Sequence, residues 1–464
     1  MTTGGVPTPD GVRYRFVILG TVWSSYIIVY LSRLSVGPLS PFLKESFDLC
    51  NTEIGSLMSA TALTYAPTMI VAGLIIDRVG AKPVLVSGAF VTGLCVCLLF
   101  VAPSYPALLV LLALSGIGCG CIYPCAVKAL VAWFPARERA TAIGVNQSAI
   151  NISGILGAAL LPAVALSLGW RFGFLFVGIL ALVISMICLV LYRDAVDQAP
   201  PIESRPSVDD LGEDDRCDAG GGNQDASNSG TSTGSSWHGL LTLLKERDVW
   251  LLGIGGLLMG AVEFSAIAYM VLFLSESLAY TVVAAGGLLA FCETAGAIGK
   301  PSVGLVSDRL FRGRRKPVLL VLSFLAFGVC SLFATSDGMP GWILYAVLVL
   351  FGVAAVGWAG IYATLAGELG GGNRSGLAAG LCSAMTNVGI VVGPLAFGML
   401  VDQTGSYRFS WILMAAAAGI GLTSWLLVRE PRPATTDEIG GVNRVPASAA
   451  QQDPSRIVGG ASNS

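Results

Sequence analysis

The chain has 464 residues, of which 54% are hydrophobic and 12% charged, with a formal net charge of −2 and a mean hydropathy of +0.74. That is about half the charge of an ordinary soluble domain, too little to solvate a globule of this size. A soluble fold is excluded, and the chain reads as an all-α integral membrane protein.

A polar tail, residues 1–15, comes first; with a first apolar run too long for an h-region behind it, it carries no sign of a cleavable signal peptide. Runs long enough to span the hydrocarbon as helix, roughly 20 residues each, follow near 16–40, 54–76, 83–103, 107–132, 140–166 and 172–192. Six more lie near 249–273, 281–305, 317–336, 341–366, 377–400 and 408–428. The twelve predicted spans form two halves, 16–193 and 249–428.

Between the halves, residues 194–248 are rich in Gly, Ser and Asp and nearly free of aliphatic side chains at their centre. Such a segment cannot bury enough apolar surface to order itself, so it is predicted to be a disordered cytoplasmic linker, and the tail 429–464 reads the same way. The single histidine, His238, falls in this linker and is read as inert. Most of the eleven cysteines are scattered through the spans without a CxxC or a nearby His, and are read as reduced packing residues with no metal site.

Orientation follows from the basic residues, which stay with the cytoplasm during insertion. With the N-terminus inside, only Lys44, Arg171 and Arg408 lie in outward loops. Both termini are therefore expected to be cytoplasmic.

Charges gather at "GLIIDRVGAKPVL", Gly73 to Leu85, and again at "GLVSDRLFRGRRKPVLL", Gly304 to Leu320. A shift of 231 carries Gly73 and Asp77 onto Gly304 and Asp308; a shift of 236 carries Gly144, Asn151 and Gly157 onto Gly380, Asn387 and Gly393. The halves are repeats in the same order and orientation, and the charges recur because each half has the same corner between its second and third spans.

That corner resembles the signature of the major facilitator superfamily, G-x-x-x-D-R/K-x-G-R/K-R/K, at Gly73, Asp77, Arg78, Gly80 and Lys82. The second copy matches at Gly304, Asp308 and Arg309, with an insertion before Gly313, Arg314 and Arg315. The resemblance covers the chain apart from linker and tails, and it implies two six-helix bundles around a central cavity. It also implies a latch: Asp77, meeting a helix N-terminus and an Arg of the other half, holds the inner gate shut. The alternative, that Arg78 and Lys82 are only topology signals, leaves the Asp and the glycines unexplained.

Ionisable groups inside spans are expensive and functional by default. Arg33 lies deep in the first span, roughly 25 Å from the cytoplasmic edge at about 1.5 Å per residue, and Glu263 and Glu293 fall near the midplane of the seventh and eighth. Lys128 and Lys300 sit closer to the cytoplasmic face, where snorkelling is the plain alternative. Arg33 resembles the substrate-anion arginine of organophosphate and anion–cation symporters, and "WFPARERATAIG", Trp133 to Gly144, resembles the loop between the fourth and fifth spans of that group. "KPSVGLVSD", Lys300 to Asp308, is similar to a stretch of the monocarboxylate transporters, with Lys for their Arg.

A guanidinium fork plus a second cation suits a small organic anion, and a midplane carboxylate suits a proton. The expected function is alternating-access transport of an organic anion, by proton symport. Arg33, Lys300 and Lys128 would bind the substrate, and Glu263 and Glu293 would couple the proton. One shift of 231 from Arg33 reaches residue 264, so an Arg33–Glu263 pair is expected, closed without cargo and open with it, or else a permanent bridge between helices. The alternatives are proton antiport of a neutral or cationic compound, and a non-transporting receptor. No phosphate-binding loop and no Ser-His or metal constellation points to an enzyme. The expected partners are substrate, proton or other coupling ion, and lipid; no cofactor or nucleic acid is expected, and the chain is read as a monomer.

Overall fold

The computed structural model describes residues 9–194, 242–311, 314–335, 340–370 and 374–430. Twelve helices among them are long and apolar enough to cross a membrane. Spans 1 to 6 are Tyr14–Phe47, Asn51–Ile76, Ala81–Val101, Tyr105–Trp133, Thr141–Leu168 and Trp170–Leu191. Spans 7 to 12 are Arg247–Glu276, Val282–Arg309, Lys316–Phe333, Gly341–Gly370, Leu377–Thr404 and Tyr407–Leu427.

Each agrees with a predicted run to within a few residues except span 1, which continues seven residues beyond position 40. The charges of Lys44 and Glu45 end the apolar pattern there, but the helix goes on because Lys44 finds partners, Glu276 and the side-chain Oδ1 of Asn51, at 2.9 and 3.1 Å. Arg33 is thereby nearer the middle of its span than the sequence suggests. The span is also broken: one helix ends at Leu34 and the next begins at Val36.

Of the expected linker, residues 195–241, with His238, lie outside the described residues, as do 1–8 and 431–464 of the tails. The linker's last residues are ordered. Thr242 and Leu243 are helical, and the helix of span 7 starts at Arg247, ahead of the boundary at 249.

Large apolar side chains such as Leu74, Phe324 and Trp342 stand on the outside of the bundle, where lipid is their solvent. Inside, spans close up through small residues. Within each half, span 3 packs on spans 4 and 6 and span 9 on span 12; between halves, packing runs through spans 1 and 7, spans 2 and 11, and spans 5 and 8. At the seam of spans 2 and 11, a Cβ on Gly55 would collide with the Pro394 carbonyl and one on Gly398 with that of Asn51. No larger residue fits there without moving a backbone.

Candidate functional site

Arg33 occupies the last turn of the first helix of span 1 and is only 4% exposed. Its guanidinium carbon lies 4.5 Å from the centroid of Tyr65, 5.1 Å from that of Phe264 and 5.8 Å from that of Tyr30. The rings come from spans 1, 2 and 7, and their faces attract a cation. Two of its nitrogens, Nε and Nη2, are buried without a hydrogen-bond partner. The expected Arg33–Glu263 bridge is absent among the ion pairs of the described residues. The register explains it: the shift of 231 is met by Phe264, whose ring covers the guanidinium, while Glu263 points elsewhere.

Glu263 accepts a hydrogen bond from the Trp358 indole N–H of span 10, at 3.1 Å. Its charged neighbours are Lys300, Glu293 and Arg33. Glu293 is buried on span 8 with its carboxyl against Gly154 of span 5, where a Cβ would stand 2.8 Å from Oε2. Lys300, two turns on along span 8, donates to the Asn151 carbonyl oxygen of span 5 at 2.9 Å. Four of the five expected residues thus gather at the seam between the halves. Lys128 does not join them: it is exposed, and its ammonium donates to the Ile76 carbonyl at the end of span 2, at 3.0 Å.

At the Asp77 corner, Asp77 lies on the helix Asn51–Val79, and its side chain is outside those described. Arg78 is exposed and Lys82 half-buried. The first glycines of both copies, Gly73 and Gly304, have open space where a Cβ would go. Gly80 is different: its φ is +88°, and a Cβ would stand 2.8 Å from Asp194 Oδ2. Asp194, at the end of span 6, accepts from the backbone N–H groups of Ala81 and Lys82 at 3.0 and 3.1 Å, capping span 3. In the other half Glu430 caps span 9 through the N–H groups of Arg315 and Lys316. This pair went unread in the sequence, although a shift of 236 carries Arg193-Asp194 onto Arg429-Glu430. Asp308 pairs with Arg315 at 2.5 Å, and Arg315 also reaches Glu368 of span 10 at 3.5 Å. Arg309 is exposed.

The opposite end is bolted across the halves. Asp402, at the end of span 11, accepts from the Asn51 N–H and side-chain amide, both at 2.8 Å, and from the Thr52 N–H and hydroxyl at 2.7 and 2.6 Å. Tyr269 donates to the Asn51 carbonyl at 2.5 Å, and Tyr407 to Glu276 at 2.8 Å, beside the Lys44–Glu276 pair. Among the described residues, by contrast, the ion pairs and hydrogen bonds at the Asp77 end each stay within one half.

Two parallel repeats of six spans, with buried charges of both signs at their interface near mid-span, define a secondary-transporter architecture. Among the described residues, no group of His, Cys, Asp and Glu is placed to hold a metal. The profile of the Major Facilitator Superfamily matches residues 22–380, with a second match over 315–456, and the chain belongs to that superfamily. The chain is 26% identical over 426 residues to the probable sulfoacetate transporter SauU of Cupriavidus necator, covering 90% of this chain and 94% of the relative. It is 28% identical over 387 residues to the membrane sensor protein UhpC of Salmonella typhimurium, covering 77% and 85%. Among solved structures, a bacterial homologue of the human lysosomal transporter Spinster shares the fold, with a TM-score of 0.73 at 16% identity over 93% of this chain and all of that one.

Proposed function

We propose that the protein carries a small organic anion across the cell membrane by alternating access, in symport with a proton. The observation that carries this reading is the Arg33 guanidinium, buried among three rings with Nε and Nη2 unpartnered and with no ion pair among the described residues. An unpaired buried charge is costly, and a carboxylate or sulfonate entering the seam would relieve it through a forked hydrogen bond. Lys300, held by Asn151, is the second cation. Glu263 and Glu293 are the proton carriers, close enough to Lys300 for cargo and proton to alter each other's binding. The likeness to a sulfoacetate transporter supports an anionic cargo.

With both termini in the cytoplasm, the Asp402 end faces outward, and its bonds across the halves support reading this arrangement as closed to the outside. The Asp77 corner is the inner latch, with Gly73, Arg78, Gly80 and Lys82 in one half and Gly304, Asp308 and Arg309 in the other. Lys128 then serves the corner by holding the end of span 2.

A second reading, a receptor that binds the anion without moving it, is favoured by the likeness to a membrane sensor. Proteoliposomes separate the two. A panel of carboxylates and sulfonates, sulfoacetate included, is offered with and without an inward proton gradient. The carrier reading expects gradient-driven accumulation of at least one; binding of a panel member without uptake would replace it with the receptor.

A further inference from the structure

Span 10 departs from the α-helix at one place. Between the helices Gly341–Phe351 and Ala359–Gly370 lies a π-helical turn, Gly352–Val356. In the first half, a shift of 231 places the corresponding residues, 121–125, inside the unbroken helix Tyr105–Trp133. The turn is thus a property of one half, and such single turns concentrate at functional sites.

Two contacts give it a purpose. On one side it packs backbone to backbone on span 8: a Cβ on Gly352 would collide with the Cys292 carbonyl, one on Gly296 would stand 2.6 Å from Val356 Cβ, and one on Gly299 3.2 Å from Val353 Cα. The stretch it grips, Cys292 to Lys300, carries both Glu293 and Lys300. On the other side, immediately after the turn, Trp358 is 1% exposed, meets Tyr362 edge to face at 5.0 Å and lies tilted against Trp425 at 5.9 Å, and gives its N–H to Glu263.

We propose that Trp358 is a positioning residue through which the π turn senses whether Glu263 carries a proton and passes that state to the Glu293–Lys300 stretch of span 8. The indole is a donor only, and a bond from it to a carboxylate is roughly twice as strong as one to a neutral carboxyl. With Glu263 ionised, the bond holds the turn wound. With Glu263 protonated the bond slackens, the turn can relax, and span 8 is released from its grip just where Lys300 meets Asn151. The charged groups facing Glu263 are Arg33 of span 1 and Glu293 and Lys300 of span 8, so arrival of a proton is felt by both cations as well.

The proposal rests on Glu263 being a proton carrier, and its test needs no cargo. Hydrogen exchange is followed in the full-length protein in nanodiscs at acid and neutral pH, with the intrinsic pH dependence of exchange removed. Acid should raise exchange severalfold in 352–358 and in 292–300 of the wild type. Glu263→Gln, whose neutral amide stands in for the protonated carboxyl and cannot titrate, should be flat and exchange fast at both pH values. Trp358→Phe, which keeps an aromatic ring there and loses the donor, should exchange fast at both. A wild type indifferent to pH, or an acid response that survives undiminished in either variant, would overturn the proposal. If exchange behaves as expected while no panel anion is transported, the device stands and the anion-symport reading falls.

Discussion

Gly73 and Gly80 stand in the same short motif yet have different physical reasons to be glycine. At Gly80 a side chain would meet both a left-handed backbone and the Asp194 carboxylate, whereas at Gly73 it would meet nothing. Gly80→Ala should therefore lower stability by about 1–2 kcal/mol, and Gly73→Ala should leave it within about 0.5 kcal/mol, both read as thermal shifts of detergent-purified protein. Equal shifts would mean that the corner does not depend on the Asp194 cap. The buried carboxylates make a second prediction at this scale. Of Glu263→Gln and Glu293→Gln, at least one should still exchange substrate across the membrane but fail to accumulate it under a pH gradient. If neither changes proton dependence, the proton is carried elsewhere. Individual charges inside spans were visible in the sequence because nothing else in a hydrocarbon-spanning run is so costly. Their partners were not: Trp358 is one of nine tryptophans and carries no local mark of the carboxylate it serves.

Span 2 begins where span 11 ends, and a single side chain joins them. Asp402 takes four hydrogen bonds from Asn51 and Thr52, at a helix N-terminus where negative charge is favoured. The matching seam of spans 5 and 8 has no such bolt. Shifts of 236 and 231 put Leu166 and Val282 at the equivalent places, and Gly286 there packs on the Ala158 carbonyl. Opening of the Asp402 end, outward in the proposed orientation, should thus be governed at the seam of spans 2 and 11. Cys50, an exposed cysteine just ahead of span 2, reports on it. Asp402→Asn should raise its alkylation by a membrane-impermeant maleimide severalfold, as charge-assisted bonds become neutral ones; an unchanged rate would remove Asp402 from the gate. Helix existence followed from hydropathy alone, but the break at Ser35 and the π turn did not. The π turn packs on Gly296 and Gly299 of span 8, and just after the break Gly37 packs on the Ile267 carbonyl of span 7; no window along one span contains that information.

At the scale of the whole molecule the two halves are repeats with unequal duties. The internal shifts of 231 and 236 revealed the duplication and located both corners, and extending them would have found the Asp194 and Glu430 caps. What it could not give is the departure from symmetry, because one residue of slip exchanges Glu263 for Phe264 over Arg33. That inequality predicts the latch mutants. Asp308 is bonded within its own half, in an exposed pair with Arg315 of the kind worth little, so Asp77→Asn should impair transport more than Asp308→Asn with protein levels unchanged. Equal or reversed effects would count against the division of labour.

The central claim is that Arg33 is held unpaired for the anion, and proteoliposome uptake of the panel by Arg33→Lys tests it most directly. Lysine keeps the charge and the aromatic box but lacks the planar fork, and the loss of one charge-assisted bond, about 1.5–3 kcal/mol, corresponds to a tenfold to hundredfold fall in uptake. The account predicts that fall with normal expression and an unchanged melting temperature. Wild-type uptake by Arg33→Lys, or a loss matched by unfolding, would contradict it and leave Arg33 a structural cation.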